Sequence, residues 1–242
     1  MALRPFRPSS PLFRGAPLRY QYPQLCHDYW HRTHSTTASP VSTKTSPARA
    51  PRIVVGITGA TGTLFGLRLL KVLRDFNIET HLILSKWAVA TMKYETPVTE
   101  AELRTMASHC YGIKDLSAPP SSGSFLHDGM IIVPCSMKTL AAVRTGFCDD
   151  LISRAADVTL KERRKLMLVV RETPLSSIHL ENMLDLSRAG AIVFPPVPAF
   201  YTRPESIQEL VDQSVGRMLD SFGIHCEDFP RWEGFEWSKV KR

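Results

Sequence analysis

A glycine-rich turn follows the first β-branched run of the chain and is the clearest candidate for a phosphate-binding loop. It reads TGATGT over residues 58–63, and Gly59 and Gly62 leave room for the backbone to come close to an anion. A helix predicted directly after the turn would point its N-terminal N–H groups and the positive end of its dipole at the same place. We therefore expect a phosphorylated ligand here, although such a turn also opens many nicotinamide-dependent reductases.

Hydroxyl side chains stand at two further strand ends and narrow the class of ligand. Ser85 follows the second predicted strand, and Ser136 and Thr139 follow the third. No acidic residue ends the second strand to bind a ribose hydroxyl, and the pair Tyr111 and Lys114 is one residue too close for a Tyr-x-x-x-Lys motif. Both absences speak against a nicotinamide reductase. The hydroxyls suit a cofactor with one phosphate and hydrogen-bonding ring edges, such as FMN.

Four cationic side chains exceed what one phosphate requires; they are Arg154, Lys161, Arg171 and Arg217. Arg171 and Glu172 directly follow a predicted strand, where folding alone gives no reason for a charged pair. The alternative for Lys161 is a solvated surface charge within the basic run 161–165. For Arg217 the alternative is an arginine whose aliphatic stem covers apolar surface.

Short β-branched runs that alternate with helix-period segments must position these residues. Strands are predicted over residues 53–57, 81–84, 130–133, 166–170 and 191–194. The alternation predicts an α/β fold in three layers, a Rossmann-like (flavodoxin-like) open parallel sheet flanked by helices. In such a sheet the ligand binds beyond the carboxyl ends of the strands, which is where the candidate residues stand.

Helical periodicity fills the segments between the strands. The first crossover helix is indicated by Leu64, Leu67, Leu70, Leu73 and Phe76. Further helices are predicted over residues 86–94, 99–109, 139–145 and 176–188, and a last helix with a long apolar stripe begins at Pro204. Pro119 and Pro120 predict a loop, and the prolines of residues 195–198 predict an extended segment that ends at Tyr201.

The first fifty residues differ in composition from the rest of the chain. They hold seven basic residues, seven prolines and one acidic residue, Asp28, and so supply +6 of the formal charge of +7. A segment of this composition buries too little apolar surface to fold. We expect residues 1–50 to be a disordered mitochondrial transit peptide for import into the matrix, and residues 51–242 to form one FMN-binding flavoprotein domain. A basic tail without a targeting role is the alternative.

Charge, hydropathy, cysteines and histidines argue against several other classes. The chain beyond the leader is nearly neutral, so no nucleic-acid partner is expected. The apolar stretches 129–135 and 166–170 are too short to span a bilayer, so we expect a soluble protein without a membrane partner. The chain beyond the leader has no C-x-x-C pair and no H-x-x-x-H motif, so the sequence predicts reduced thiols and no metal site.

Taken together, these segments resemble the flavin prenyltransferase family, enzymes once called phenylacrylic acid decarboxylases. The resemblance runs from Arg52 to Trp232, nearly the whole chain beyond the leader. It is carried by GITGATG at 56–62, SK at 85–86, SGS at 122–124, PCS at 134–136, RAAD at 154–157, LKERR at 160–164, RETP at 171–174, SIHLENM at 177–183, FY at 200–201 and PRW at 230–232. The basic leader is similar to that of the fungal mitochondrial members.

The resemblance implies a metal-independent transfer of a dimethylallyl group from dimethylallyl phosphate or diphosphate to N5 and C6 of reduced FMN. The product, prenylated FMN, would serve a partner decarboxylase of aromatic or α,β-unsaturated acids. Ordinary prenyltransferases stabilise the departing phosphate with magnesium on Asp-rich motifs, but no D-D-x-x-D motif follows Asp149 and Asp150, so arginine and lysine would take that task. The resemblance also implies a homo-oligomer, expected to be a dodecamer with sites at subunit junctions.

Catalytic and substrate-binding roles follow by matching position within each motif. The resemblance implies that Glu172 is the acid/base, that Glu95 orients or deprotonates the flavin ring, and that Trp232 closes over the dimethylallyl group. The substrate phosphate would be bound by Lys161, Tyr201 and Arg217 with Arg154 nearby, and Lys161 and Arg154 would also act in catalysis.

The FMN site follows in the same way. The resemblance implies that FMN is held by Gly59, Ala60, Thr61, Ser85, Ser136, Met137, Lys138, Thr139 and Arg171. Thr61 departs from the family, which usually has serine there. The hydroxyl is kept and a methyl group is added.

Two other functions stay open. An FMN-dependent cysteine-type decarboxylase shares the first turn and the serine-rich loops, but the histidine near the first helix and the Pro-x-Met-Asn motif of those enzymes are missing. A non-catalytic flavin-binding or delivery protein would need the loops at Gly59 and Ser136 but not Lys161, Glu172 and Arg217 together. Convergence of those three side chains on one pocket would distinguish the enzyme from the binding protein.

Overall fold

The computed structural model describes residues 49–234. The predicted leader, residues 1–50, therefore lies outside the described residues except for Arg49 and Ala50, as do residues 235–242 at the other end. None of the helices in the described range has the length and apolar character that crossing a membrane requires.

Strands and helices alternate along the described chain. The strands are β1 (Arg52–Ile57), β2 (Glu79–Leu84), β3 (His109–Gly112), β4 (Gly129–Cys135), β5 (Lys165–Val170) and β6 (Ile192–Val193). The α-helices are α1 (Thr63–Asp75), α2 (Lys86–Glu95), α3 (Glu100–Thr105), α4 (Met137–Thr145), α5 (Leu151–Lys161), α6 (Ser177–Arg188) and α7 (Ile207–Asp220). Two short 3-10 turns are formed by Pro119–Ser121 and Phe200–Thr202.

The strands form one parallel sheet in the order β3-β2-β1-β4-β5-β6. This order is that of a Rossmann-type doubly wound sheet and confirms the predicted fold class. The order reverses between β1 and β4, and the connections that leave these two strands in opposite directions open a crevice beyond their carboxyl ends. We call the side of the sheet where the strands end the carboxyl edge, and the side where they begin the amino edge.

Two apolar clusters lie on opposite faces of the sheet, because successive side chains of a strand point to opposite faces. One cluster joins Ile53, Val55 and Ile57 of β1 to helices α1, α2, α3 and α7. The other joins Val54 of β1 to helices α4, α5 and α6. The result is the expected three-layer arrangement, in which the central strands are buried along almost their whole length.

The edge strand β3 differs from the sequence prediction, which was a helix over residues 99–109. That helix ends at Thr105, and His109–Gly112 instead pairs with β2 as a sixth strand. Its residues are half-buried or exposed and lack a β-branched run, so their hydropathy pattern contains no strand signal.

Two helices also differ from the prediction. Helix α5 lies over a segment to which the sequence pattern assigns no element, although buried residues such as Leu151, Ala155 and Val158 recur along it at helical spacing. Helix α7 begins at Ile207 rather than at Pro204, since the side chain of Ser206 caps it by accepting from the N–H of Glu209.

Candidate functional site

A cleft of about 190 Å³ opens at the carboxyl edge, at the switch point between β1 and β4. It includes five of the nine residues predicted to bind FMN, and four residues that were not assigned to FMN. The lining residues are Thr58, Gly59, Ser85, Trp87, Ser136, Lys138, Thr139, Asp150 and Ile152. The cleft is therefore built mainly from hydroxyl and glycine positions at the ends of strands.

The buried hydroxyl of Thr58 links the two sides of the cleft. It donates to the carbonyl of Pro134 (2.7 Å) and accepts from the N–H of Ser136 (2.8 Å). The register of β4 against β5 shifts between Ile132 and Cys135, next to this contact. The link holds the turn after β1 and the loop after β4 at a fixed separation. The place of Thr58 directly before Gly59 is the signal that could have identified it.

Close packing explains why residue 59 is glycine. A Cβ at Gly59 would overlap the Cβ of Trp87, so only glycine allows the first turn of α2 to approach the turn after β1. Gly59 lines the cleft as predicted, but helix packing, rather than space for a phosphate, excludes a larger side chain. Trp87 is 65% exposed beside the cleft.

The N-terminus of α1 is occupied by a side chain of the protein. The N–H groups of Gly62 and Thr63 donate to the carboxylate of Glu95, at 2.9 and 2.7 Å. The prediction that α1 offers free N–H groups to a phosphate is therefore wrong. Burial alone would raise the pKa of Glu95, but hydrogen bonds from the Thr61 hydroxyl and from these N–H groups hold it below its ordinary value. Glu95 is thus a fixed carboxylate at neutral pH.

Three more helices begin around the cleft and differ in the charge of their caps. The carboxylate of Asp150 caps α5 by accepting from the N–H of Ser153 (2.9 Å). The hydroxyls of Ser85 and Ser136 cap α2 and α4. The caps of α1 and α5 are therefore anionic, whereas those of α2 and α4 are neutral. The positive ends of the dipoles of α2 and α4 are left for an external anion.

The other predicted FMN residues lie beside the cleft. Ala60 and Thr61 belong to the turn after β1, and the Thr61 hydroxyl is close enough to Glu95 to lower the pKa of that carboxyl group. Met137 is the first residue of α4 and packs against the apolar cluster on that face of the sheet. Arg171 lies at the end of β5, where its N–H donates to the carbonyl of Cys135 (3.3 Å) next to the loop after β4.

A second groove, of about 350 Å³, lies where β5 ends. Arg171 and Glu172 line it, together with Phe65 of α1 and the segment Pro195–Pro198. Glu172 accepts a hydrogen bond from the N–H of Thr173 (2.9 Å). Arg171 has no carboxylate partner among residues 49–234. The pair that the sequence singled out is therefore exposed in a concave site beside the cleft.

Lys161 lies at the amino edge, away from this groove. It ends α5 shortly before β5 begins, whereas Glu172 follows the carboxyl end of β5. Six residues of extended strand span roughly 20 Å, which is too far for the two side chains to meet within one chain. The ammonium of Lys161 instead pairs with Glu162 at the surface, against Gly123.

The remaining predicted residues are also dispersed. Arg154 donates to the carbonyl of Ser121 (3.1 Å) and pairs with Asp157 (2.8 Å). Arg217 is exposed on α7, without a carboxylate partner in the described part of the chain. The expected convergence of Lys161, Glu172 and Arg217 on one pocket is therefore not found within one subunit.

Two aromatic residues near the end of the described chain do meet. Tyr201 and Trp232 pack edge to face, with ring centroids 5.4 Å apart. Both residues are about half exposed, at 47% for Tyr201 and 58% for Trp232. The pair offers aromatic surface to a molecule outside the fold.

Comparison with known proteins identifies relatives of the chain. Residues 41–219 match the family described as Flavoprotein. The mitochondrial flavin prenyltransferase PAD1 of Saccharomyces cerevisiae is 62% identical over 204 residues, which cover 84% of this chain and 84% of the relative.

Two solved structures are similar along most of their length. The crystal structure of AnUbiX (PadA1) in complex with FMN and dimethylallyl pyrophosphate has a TM-score of 0.77 and 62% identity, covering 78% of this chain and 100% of the other. A dodecameric FMN-dependent Ubix-like decarboxylase from Escherichia coli O157:H7 has a TM-score of 0.75 and 52% identity, covering 76% of this chain and 100% of the other.

Proposed function

The chain belongs to the flavin prenyltransferase family, within the wider flavoprotein family, and from this premise we propose how its own residues perform the reaction. The reaction transfers a dimethylallyl group from dimethylallyl phosphate or diphosphate to N5 and C6 of reduced FMN. The observation that carries the proposal is the switch-point cleft with its neutral helix caps and glycine, together with the groove at the end of β5 that contains Arg171 and Glu172.

The cleft fits FMN in charge and in hydrogen-bonding groups. A phosphate at the starts of α2 and α4 would meet helix dipoles that no carboxylate cap neutralises. Lys138, in the cleft, and Arg171, in the groove, have no carboxylate partner among residues 49–234 and add positive charge. The hydroxyls of Ser85, Ser136 and Thr139 supply donors and acceptors for the phosphate and the ring edges.

The groove beside the cleft supplies the groups that the departing phosphate needs. Reduced FMN provides the nucleophilic ring atoms. When the allylic C–O bond breaks, the electron pair leaves with the phosphate, so fixed positive charge such as that of Arg171 lowers the barrier. The exposed carboxyl group of Glu172 can give a proton to the leaving phosphate and take one from the ring. The faces of Tyr201 and Trp232 can stabilise positive charge on the allyl group.

A second copy of the chain would complete the site. Lys161 cannot reach Glu172 within one subunit, and its pairing with Glu162 is a surface ion pair worth about 0–1 kcal/mol, which a phosphate can replace. Large exposed apolar side chains, a feature of surfaces covered by a partner, include Ile178, Leu180 and Leu184 of α6 and Val197 and Phe200 of the following loop. With a dodecameric relative at 52% identity, these features support a dodecamer with active sites at subunit junctions.

The groove also helps to distinguish a transferase from a flavin-binding protein that has no catalytic activity. Such a protein needs the cleft at the switch point and can use Arg171 to hold FMN, but it has no use for an exposed carboxyl group beside that cation. Arg171 and Glu172 side by side therefore favour the transferase.

The product would serve a separate decarboxylase of aromatic or α,β-unsaturated acids, and both proteins would act in the mitochondrial matrix. The basic composition of residues 1–50 and the mitochondrial yeast relative support this location. A fluorescent protein fused behind residues 1–50 should accumulate in the matrix. A fusion that stays in the cytosol would overturn the proposed location.

The transferase activity is tested with reduced FMN and dimethylallyl phosphate or diphosphate, under anaerobic conditions and with EDTA present. Mass spectrometry should show a flavin heavier by one five-carbon prenyl unit, and this product should activate a decarboxylase that plain FMN leaves inactive. A requirement for magnesium would contradict the proposed charge stabilisation by arginine and lysine. Hydrolysis of the donor with an unchanged flavin mass would instead favour the flavin-binding protein.

A further inference from the structure

Three polar side chains meet on one face of the sheet at the amino edge, away from the site described above. The register of the parallel pair β2 and β3 places His81 opposite His109, and Glu79 stands two residues before His81 on the same face. Nε2 of His81 lies 2.9 Å from Oε1 of Glu79, and Nε2 of His109 lies 3.4 Å from the same oxygen. One potential ligand atom from each residue therefore lies within 4.8 Å of the others.

We propose that Glu79, His81 and His109 form a binding site for a divalent transition-metal ion of the zinc type. Two imidazole nitrogens and one carboxylate oxygen are a donor set that Zn²⁺ and its neighbours in the first transition row accept. A further ligand position faces solvent, because the His109 side chain is 53% exposed while His81 is buried. The cluster has no sequence motif, since parallel strand pairing alone brings residue 109 next to residues 79 and 81.

The groups behind these side chains are arranged as in the outer shell of a metal site. Nδ1 of His81 lies 2.7 Å from the hydroxyl of Tyr111. When Nε2 binds a metal, Nδ1–H can donate to that hydroxyl, which fixes both the tautomer and the ring orientation. Oε2 of Glu79 accepts from Nη2 of Arg52 (2.8 Å), so the carboxylate is oriented with Oε1 toward the two histidines.

Arg52 binds only the oxygen of Glu79 that faces away from the two histidines, and its other contacts are to residues outside the proposed site. Its Nη1 donates to the carbonyl of Leu126 (2.9 Å), and the guanidinium stands 4.7 Å from the centroid of the Phe125 ring. Its contact with Glu79 is to Oε2, not to Oε1. Oε1 of Glu79, the oxygen that would bind the metal, is thus close to the two imidazole rings and is not bonded to Arg52. The His81 and His109 rings are stacked with centroids 4.7 Å apart, so both reach that oxygen.

A metal at this position would act on the fold rather than on prenyl transfer. Glu79 begins β2, and Ser85 of the cleft follows its other end, so the two sites are separated by roughly 20 Å. A bound ion would join the edge strand β3 to β2. This predicts that the metal raises thermal stability and that removing it leaves prenyl transfer unchanged.

Zinc titration of the tag-free, full-length protein, stripped with EDTA and followed by calorimetry, tests the site. We expect one ion per chain, and a Co²⁺ visible spectrum typical of nitrogen and oxygen ligands. His109→Ala removes an exposed ligand and should lower the zinc affinity at least tenfold. Tyr111→Phe removes only the outer contact to His81 and should lower it about tenfold. His179→Ala, at a partly exposed histidine of α6, is the matched control and should leave the affinity unchanged.

Two results would overturn the metal site. One is the absence of stoichiometric zinc binding at about 1 mM metal. The other is equal affinity in the native protein and the His109→Ala variant, which would place the ion elsewhere. Circular dichroism checks that each variant is folded, and if His109→Ala does not fold, Glu79→Gln decides the question by the same criterion. A change in prenyl transfer of the folded His109→Ala variant would contradict the separation of the two sites.

Discussion

Several charged side chains at the amino edge of the sheet are paired with one another, whereas cations at the carboxyl edge have no carboxylate partner in the described part of the chain. Asp128, at the amino edge, accepts from the guanidinium of Arg49 (2.8 and 2.9 Å) and from the N–H of Arg52 (2.7 Å). At the carboxyl edge, Lys138 and Arg171 pair with no carboxylate among residues 49–234.

The difference separates residues that stabilise the fold from residues that are free to bind. The same strands supply both edges, so the strands themselves do not decide which edge binds a ligand. The segments that follow the strands do, because they combine neutral helix caps with unpaired cations in concave sites. Substitutions at the carboxyl edge should therefore change flavin binding or turnover. Substitutions at the amino edge should leave both unchanged, apart from those at Lys161, which is proposed to act in the site of a second subunit.

The largest effect is expected from Glu172→Gln in the groove. Loss of the acid/base should lower turnover about 10²–10⁴-fold while the protein still purifies with FMN, because Glu172 is not expected to hold the flavin. Asp75→Asn makes the corresponding change at an exposed position at the end of α1 and should leave turnover unchanged. Loss of flavin with normal turnover per bound flavin would show that the assigned role is wrong.

Gly59→Ala should have the next largest effect, on both stability and binding. The added methyl group overlaps Trp87, so we expect the free energy of unfolding to fall by about 1–3 kcal/mol and FMN affinity to fall with it. Gly112→Ala is the control, because a Cβ there meets no atom within 4 Å. Urea denaturation and flavin fluorescence measure the two effects. Equal losses in both variants would contradict the packing explanation.

Glu95→Gln tests the carboxylate at the start of α1 through its pH dependence. Because the pKa of Glu95 is lowered in the folded state, its ionised form stabilises the fold above the ordinary value of 4.5, and this contribution is lost as the pH falls through the lowered value. At neutral pH the variant should be less stable by about 0.5–2 kcal/mol, as for other helix caps. The difference should disappear in acid. A difference that persists at pH 2 would rule out this role.

Asp128→Asn, at the amino edge, should have the smallest effect. The Arg49 and Asp128 side chains are partly exposed, so loss of their ion pair should cost at most about 1 kcal/mol of stability. Bound FMN and turnover should equal those of the native protein. If this variant lost its flavin, the proposed division between the two edges would be wrong.

Most of the fold could be predicted because its central strands are buried. Strands β1, β4 and β5 are short apolar runs, and each was predicted to within two residues of its observed ends. The edge strand His109–Gly112 could not be predicted, since it is formed by pairing with β2 rather than by its own hydropathy. Helix α5 was missed although its buried residues recur at helical spacing, so this helix could have been predicted from the sequence.

Site residues that directly follow a strand could be predicted from the sequence. Contacts that depend on how helices pack in three dimensions could not. The strand-end positions of Gly59, Ser85 and Ser136 placed them in the cleft as expected. The capping of α1 by Glu95 depends on how α2 packs against the turn after β1, and sequence spacing does not show this. The place of a residue within a sequence motif also says nothing about its distance from residues of other motifs. It therefore could not reveal that Lys161 lies far from Glu172.

Hybrid oligomers test most directly whether the prenyl-transfer site is shared between subunits. Lys161→Ala and Glu172→Gln should each be nearly inactive alone, and co-expression places both variants in the same oligomers. If one subunit supplies Lys161 and another supplies Glu172, about a quarter of the sites in an equal mixture contain both native residues. The hybrid should then recover up to roughly a quarter of native turnover. A hybrid no more active than its two parents would show that both residues act within one subunit, which contradicts the shared site.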